Sequence, residues 1–130
     1  MINWTSIDGV ELTGMLIKPE NFDPNKKYPV YMTVYGGPGH NEVTDAWDGQ
    51  DYMYHQLLTQ KGYIVVCVDN RGTGARGAEF KKCTFLQLGK LEIADQINAA
   101  KWLGAQSYVD ASRIGIQGWS FGGYMSALAI

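Results

Sequence analysis

The 130-residue sequence predicts an α/β fold, a parallel sheet with flanking helices that is entered through a pair of hairpin strands. Three observations carry that prediction. Apolar, β-branched segments alternate along the chain with segments of helical period, the pattern of a layered α/β unit. Nine of the 16 glycines fall in three short clusters, each after an apolar run: Gly36, Gly37 and Gly39; Gly72, Gly74 and Gly77; Gly118, Gly122 and Gly123. The composition, 45% hydrophobic and 18% charged, is globular and sufficient for one core.

Asp8-Gly9 is a strong hairpin turn pair, so Asn3–Ile7 and Val10–Lys18 are expected to open the chain as two antiparallel strands. Val30-Tyr31-Met32-Thr33-Val34-Tyr35 and Tyr63-Ile64-Val65-Val66-Cys67-Val68 show little alternation, which suits strands buried on both faces. Arg113-Ile114-Gly115-Ile116-Gln117 is a shorter, more polar third strand. Between these runs, residues 51–60 place Tyr54, Leu57 and Leu58 on one side of a helix, and Gly62 fits its C′ position. Ile93, Ile97, Ala100 and Leu103 recur at helical spacing from about Leu91, with Gly104 as the stop. Residues 124–130 read as a last helix.

Charge excludes some functions. Eleven Lys and Arg against 13 Asp and Glu give a net charge of -2, which supplies no field to gather a nucleic acid. No apolar run reaches the roughly 18 residues of a membrane span, and Met1-Ile2-Asn3-Trp4-Thr5 does not begin like a signal peptide. Cys67 and Cys83 are too few for a disulfide framework; the first reads as a small hydrophobe in a strand and the second as a thiol near the surface. His, Cys and carboxylates form no metal-binding cluster, and no cofactor is expected. Asn3-Trp4-Thr5 fits a glycosylation sequon by coincidence, and Trp4, Trp47 and Trp102 read as core or interface.

Gly118-Trp119-Ser120-Phe121-Gly122 fits G-x-S-x-G, the nucleophile elbow, with a strand before it and a helix after. Ser120 would occupy a strained strand-to-helix turn that projects its hydroxyl from the sheet. Side chains two positions either side would collide in such a turn, so Gly118 and Gly122 are required; Trp119 and Gly123 complete the elbow. The helix that follows offers its first amides, and that of Phe121 points where an oxyanion would form.

With Tyr35-Gly36-Gly37-Pro38-Gly39 and Asp69-Asn70-Arg71-Gly72-Thr73-Gly74 ahead of Gly118-Trp119-Ser120-Phe121-Gly122-Gly123-Tyr124, the sequence resembles the catalytic domain of the prolyl oligopeptidase family. The dipeptidyl peptidase IV branch is its nearest likeness, in a bacterial form, and the similarity extends through Leu88-Gly89 to Ala100. The resemblance implies an α/β-hydrolase domain, paired in the family with a β-propeller, that cleaves short peptides, often after proline. It makes Ser120 the nucleophile, and the Phe121 amide and the Tyr35 phenol the two oxyanion donors. Phe121 stands where the family usually has tyrosine, which matters little for a backbone donor. The implied partner is a peptide substrate, and similar bacterial enzymes imply a periplasmic or cell-envelope setting.

A serine hydroxyl needs a base, and in α/β-hydrolases the order is Ser, then Asp or Glu, then His. Phe121 to Ile130 contain neither an acid nor a histidine, and His40 and His55 come earlier. The expectation is therefore an incomplete domain: residues 1–130 are the N-terminal part of a peptidase domain cut after the elbow, inactive alone. The unpaired edge of its 113–117 strand is expected to promote self-association. His40 is expected at the edge of the site and His55 in a structural role, while Asp69 and Arg71 hold the loop beside the elbow. Two other readings stand beside this one. Gly72-Thr73-Gly74-Ala75-Arg76-Gly77 fits G-x-G-x-x-G, with Glu92 in range of a ribose-binding acid, as in a dinucleotide-binding half-domain. Against it, Ala78 to Cys83 lack an apolar stripe and Glu92 opens a helix. The last reading is a hydrolase-fold module without chemistry.

Overall fold

Gly9, at φ +83, turns the chain between two strands, Ile2–Thr5 (β1) and Glu11–Ile17 (β2), which pair antiparallel. The structure, a computed structural model, describes every residue except Asp48. Tyr28–Thr33 (β3), Ile64–Asp69 (β4) and Val109–Gln117 (β5) complete a five-stranded sheet in the order β1-β2-β4-β3-β5. β3 runs parallel to β4 and β5, whereas β2 meets β4 antiparallel, so the sheet is mixed: a parallel half and an appended hairpin. Every residue of β4 is buried, Ile64 to Val68 as their unbroken apolar run requires and Asp69 with them. β3 starts and ends two residues earlier than its hydropathy suggests, because Val34 and Tyr35 already lead into the glycine loop. β5 gains Val109 to Ser112 at its start.

The helices are Gly49–Gln60 (α1), Ala78–Lys82 (α2), Lys90–Gly104 (α3) and Phe121–Leu128 (α4). Gly62, at φ +86, closes α1 as a C′ glycine, and Tyr63 N–H returns to Leu58 O at 3.1 Å.

α1 presents a face other than the one its apolar spacing suggests, and α3 does so in part, since its Leu103 is buried and Ala100 packs against the core. α1 buries His55 and Thr59 and leaves Tyr54 and Leu57 exposed, because it covers a polar cleft beside Glu42 and Cys67. α3 buries Glu92, Asp95, Gln96, Ala99 and Leu103. Arg71 and Asn70, just past β4, need buried partners, which Asp95 and Gln96 supply. Ile97 and Ala100 line a groove of about 600 Å³ between α3 and β5.

The core lies between the sheet and α3, around Leu12, Met32, Ile64, Val66 and Leu103, and Trp4 stacks on Trp102 at 5.8 Å. Trp47 pairs with Tyr52 at the surface. Cys67 is buried, and the half-buried Cys83 thiol donates to Phe80 O at 3.0 Å. Among the described residues no helix is long and apolar enough to cross a membrane, and no group of His, Cys, Asp and Glu converges as a metal site.

Candidate active site

β3 and β5 reach the same end of the sheet side by side, where Val34 N–H donates to Gln117 O at 2.9 Å. Beyond that bond β3 leads to Tyr35, and β5 leads through Gly118 and Trp119 to Ser120 and α4. Ser120 sits at φ 56 and ψ -117, a conformation that costs a residue with a side chain of order 1–3 kcal/mol. It is the N-cap of α4 and is exposed. Gly122 N–H to Trp119 O at 2.9 Å and Tyr124 N–H to Ser120 O at 3.2 Å form the first turn. The Phe121 N–H belongs to the first-turn amides that no helical carbonyl takes up.

The glycines of this turn answer to one neighbour. A Cβ on Gly118 would stand 2.1 Å from Val34 O, and one on Gly122 only 1.9 Å from the same oxygen. On Gly123 it would lie 3.5 Å from Gly118 O, an ordinary contact. Trp119 is 87% exposed and walls the cleft next to the serine.

Tyr35 is brought to the elbow: its ring lies 6.2 Å from that of Phe121, and His40 meets it edge-on at 4.9 Å. The ring covers Gly37, where a Cβ would come within 2.4 Å of it. Among the described residues no side chain hydrogen-bonds the Ser120 hydroxyl, and His55 is buried.

Asp69 and Arg71 take separate partners. Asp69 receives Glu42 N–H, Val43 N–H and the Asn41 amide. The Arg71 guanidinium is gripped by Asp95 and Asp8, both at 2.6 Å, which raises its pKa beyond its usual high value. In return, the Ser6 hydroxyl and Arg71 hold the Asp8 carboxyl below the ordinary carboxylate range. Beneath the elbow, the Tyr31 hydroxyl donates to Gln117 Oε1 at 2.8 Å, and burial, with Tyr54 beside it, pushes this phenol up to about 12. A cleft of about 300 Å³ opens here, lined by Tyr35, Glu42, His55, Cys67, Gln117 and Trp119.

The second glycine loop forms no nucleotide cradle. A Cβ on Gly72 would meet Thr84 at 2.9 Å and one on Gly74 the Gly39 carbonyl at 2.9 Å, so protein fills the space a pyrophosphate would need. The helix that follows, α2, has five residues, and Glu92 is buried with its Oε2 on Gly89 N–H at 3.0 Å. The sequence assigns no role of their own to Glu42, Asn70 and Gln96, which hold the backbone around Tyr35. Their one signal was polarity: Asn41-Glu42 beside a glycine loop, and Gln96 inside a helix of buried character.

A serine on a strained turn, between the end of a parallel strand and the start of a helix, is the arrangement of an α/β-hydrolase. The model of the prolyl oligopeptidase family matches residues 50–130, and the chain belongs to that family. The crystal structure of Porphyromonas gingivalis dipeptidyl peptidase 4 superposes with a TM-score of 0.91 at 46% identity, over 98% of this chain and 18% of that one. Probable dipeptidyl peptidase 4 of Emericella nidulans is 46% identical over 91% of this chain, and dipeptidyl peptidase 8 of Mus musculus 39% identical over all of it. The chain spans 15% of the length of each of these two relatives.

Proposed function

We propose that this chain is the nucleophile-bearing part of a serine peptidase that releases dipeptides, and that residues 1–130 are one part of its catalytic domain. The observation that carries the reading is the placement of Ser120, strained at φ 56 on the elbow, beside Tyr35 and the start of α4. The names of the relatives support the substrate class.

In this reading Ser120 Oγ attacks the scissile carbonyl carbon while a base takes its proton. Charge moves onto the carbonyl oxygen, where the Phe121 N–H and the Tyr35 O–H donate to it; each such donor is worth about 10²–10³ in rate. Collapse expels the leaving amine, which takes the proton from the base, and the acyl group stays on Ser120 until water hydrolyses it. The base and its orienting carboxylate belong to the longer protein, so the 130-residue chain alone is inactive. On its own it also self-associates through the open edge of β5.

A fluorophosphonate tests this directly, because it reacts only with an activated serine. The full-length protein is expected to be labelled and to turn over a chromogenic Xaa-Pro substrate, with both lost in Ser120→Ala. Failure to label the full-length protein would favour a hydrolase-fold module without chemistry. Turnover by the isolated chain, abolished by Ser120→Ala, would sink the assignment of the base to residues elsewhere.

A further inference from the structure

Tyr35 is held by its backbone on both sides. Its N–H donates to Glu42 Oε2 at 2.7 Å, and the Cys67 thiol donates to the same oxygen at 3.5 Å. Glu42 is itself placed by Asp69, which takes the Glu42 N–H at 3.0 Å, the Val43 N–H at 3.2 Å and the Asn41 amide at 3.0 Å. On the other side, the Asn70 amide donates to Gly36 O at 3.0 Å, and Gln96 holds Asn70 Oδ1 at 3.0 Å. Asp69, the last residue of β4, and Asn70, just after it, therefore fix the two flanks of Tyr35, Asn70 directly and Asp69 through Glu42.

The two flanks differ in kind. Asn70 and Gln96 are buried and neutral, whereas Glu42 is a half-buried carboxylate on the wall of the cleft that reaches Gln117 and Trp119. Its bond to Tyr35 is charge-assisted, the stronger class of hydrogen bond. It also replaces a lost one: β3 ends at Thr33, Val34 N–H still reaches Gln117 O, and the next amide is turned to Glu42 instead of a strand.

From this geometry we infer that Glu42 is the positioning residue of the Tyr35 hydroxyl. The inference rests on the oxyanion role given to Tyr35 above. The hydroxyl lies at the far end of a rigid side chain, so a backbone rotation of about 10° displaces it by about 1 Å. Displacements of that size cost roughly 10²-fold in rate, since a site tolerates only about 0.5 Å. Glu42 would thus act on the reaction without touching the substrate.

The test is a double-mutant cycle in the full-length peptidase, with Glu42→Ala and Tyr35→Phe made singly and together. Glu42→Ala is expected to lower kcat by about tenfold to a hundredfold, the cost of a hydroxyl displaced by up to about 1 Å, with KM unchanged. Glu42→Gln, which keeps an acceptor oxygen for the Tyr35 N–H, is expected to restore most of that rate. In the Tyr35→Phe background the Glu42→Ala effect should vanish, because there is no longer a hydroxyl to position. An equal loss in both backgrounds overturns the inference and leaves the oxyanion reading standing. A Tyr35→Phe variant as fast as wild type overturns the oxyanion reading itself. Glu42→Leu, which fills the volume without an acceptor, serves the same cycle where Glu42→Ala does not fold.

Discussion

At the scale of single residues, one carbonyl dictates two positions. Val34 O lies so near the elbow that even a methyl group at residue 118 or 122 would overlap it by more than an ångström. Gly122→Ala must therefore push β3 and α4 apart, and we expect it to destabilise the protein by more than about 3 kcal/mol, at the severe end of single substitutions. Gly123→Ala has room and trades a helical glycine for alanine, so it should be neutral or stabilising by up to about 1 kcal/mol. Urea unfolding of the two variants checks both, and equal behaviour would mean that the close approach to Val34 is not what selects glycine. Ser120, Gly118 and Gly122 were legible in the sequence because an elbow is a local object whose rules span five residues. Glu42 and Asn70 were not. The first bonds a backbone amide seven residues away and the second a carbonyl 34 away, and such pairings leave no period to read.

Among elements, one tie is ionic. Arg71, just after β4, joins the β1–β2 turn through Asp8 to α3 through Asp95. The Asp95 side chain is fully buried, and removing it strands a guanidinium in the interior. Asp95→Ala is expected to cost about 3–5 kcal/mol in thermal or urea unfolding. A loss below about 1 kcal/mol would show that Asp8 alone satisfies Arg71. Acid should loosen this tie and, separately, the start of β5. Asp8 is held low by Ser6 and Arg71, and Asp110 is held at about 2 by Ser112 and Arg113. In the unfolded chain both return to about 4. The contribution of each is therefore complete above about pH 4; that of Asp110 is lost as pH falls towards 2, and that of Asp8 as pH falls through its own lowered value. Urea midpoints are expected to drop across that window, and less steeply in Asp8→Asn; an unchanged slope would remove Asp8 from the account. The existence and order of α1, α3 and α4 were legible from spacing, whereas the short α2, the buried face of α1 and most of that of α3 were not. Hydropathy assigns Tyr54, Leu57 and Ile97 to the inside, whereas the packing partners of α1 and α3 include a polar cleft and a buried arginine.

For the molecule as a whole, β5 is the edge that matters. It stands last in the sheet, pairs on one side with β3, and borders the apolar groove beside α3. An open strand next to an apolar groove is a template for another chain. Light scattering of the isolated chain at micromolar concentration should give a mass above that of one copy, 14.4 kDa, and Ile116→Lys should lower it. A single-copy mass for the unmodified chain would overturn this.

The ladder between β3 and β5 is also a length gauge. Its one irregularity falls between Tyr28 and Val30, at the end far from the serine, while Val30 to Thr33 pair without a break with Ile114 to Gln117. One strand leads to Ser120 and the other to Tyr35, so the spacing of the two is counted out in backbone hydrogen bonds. A slip of a single residue would shift one against the other by about 3.3 Å, several times what a reactive geometry tolerates. Whatever pairs with the outer side of β5 thus bears on the calibration of the site as well as on the solubility of the chain.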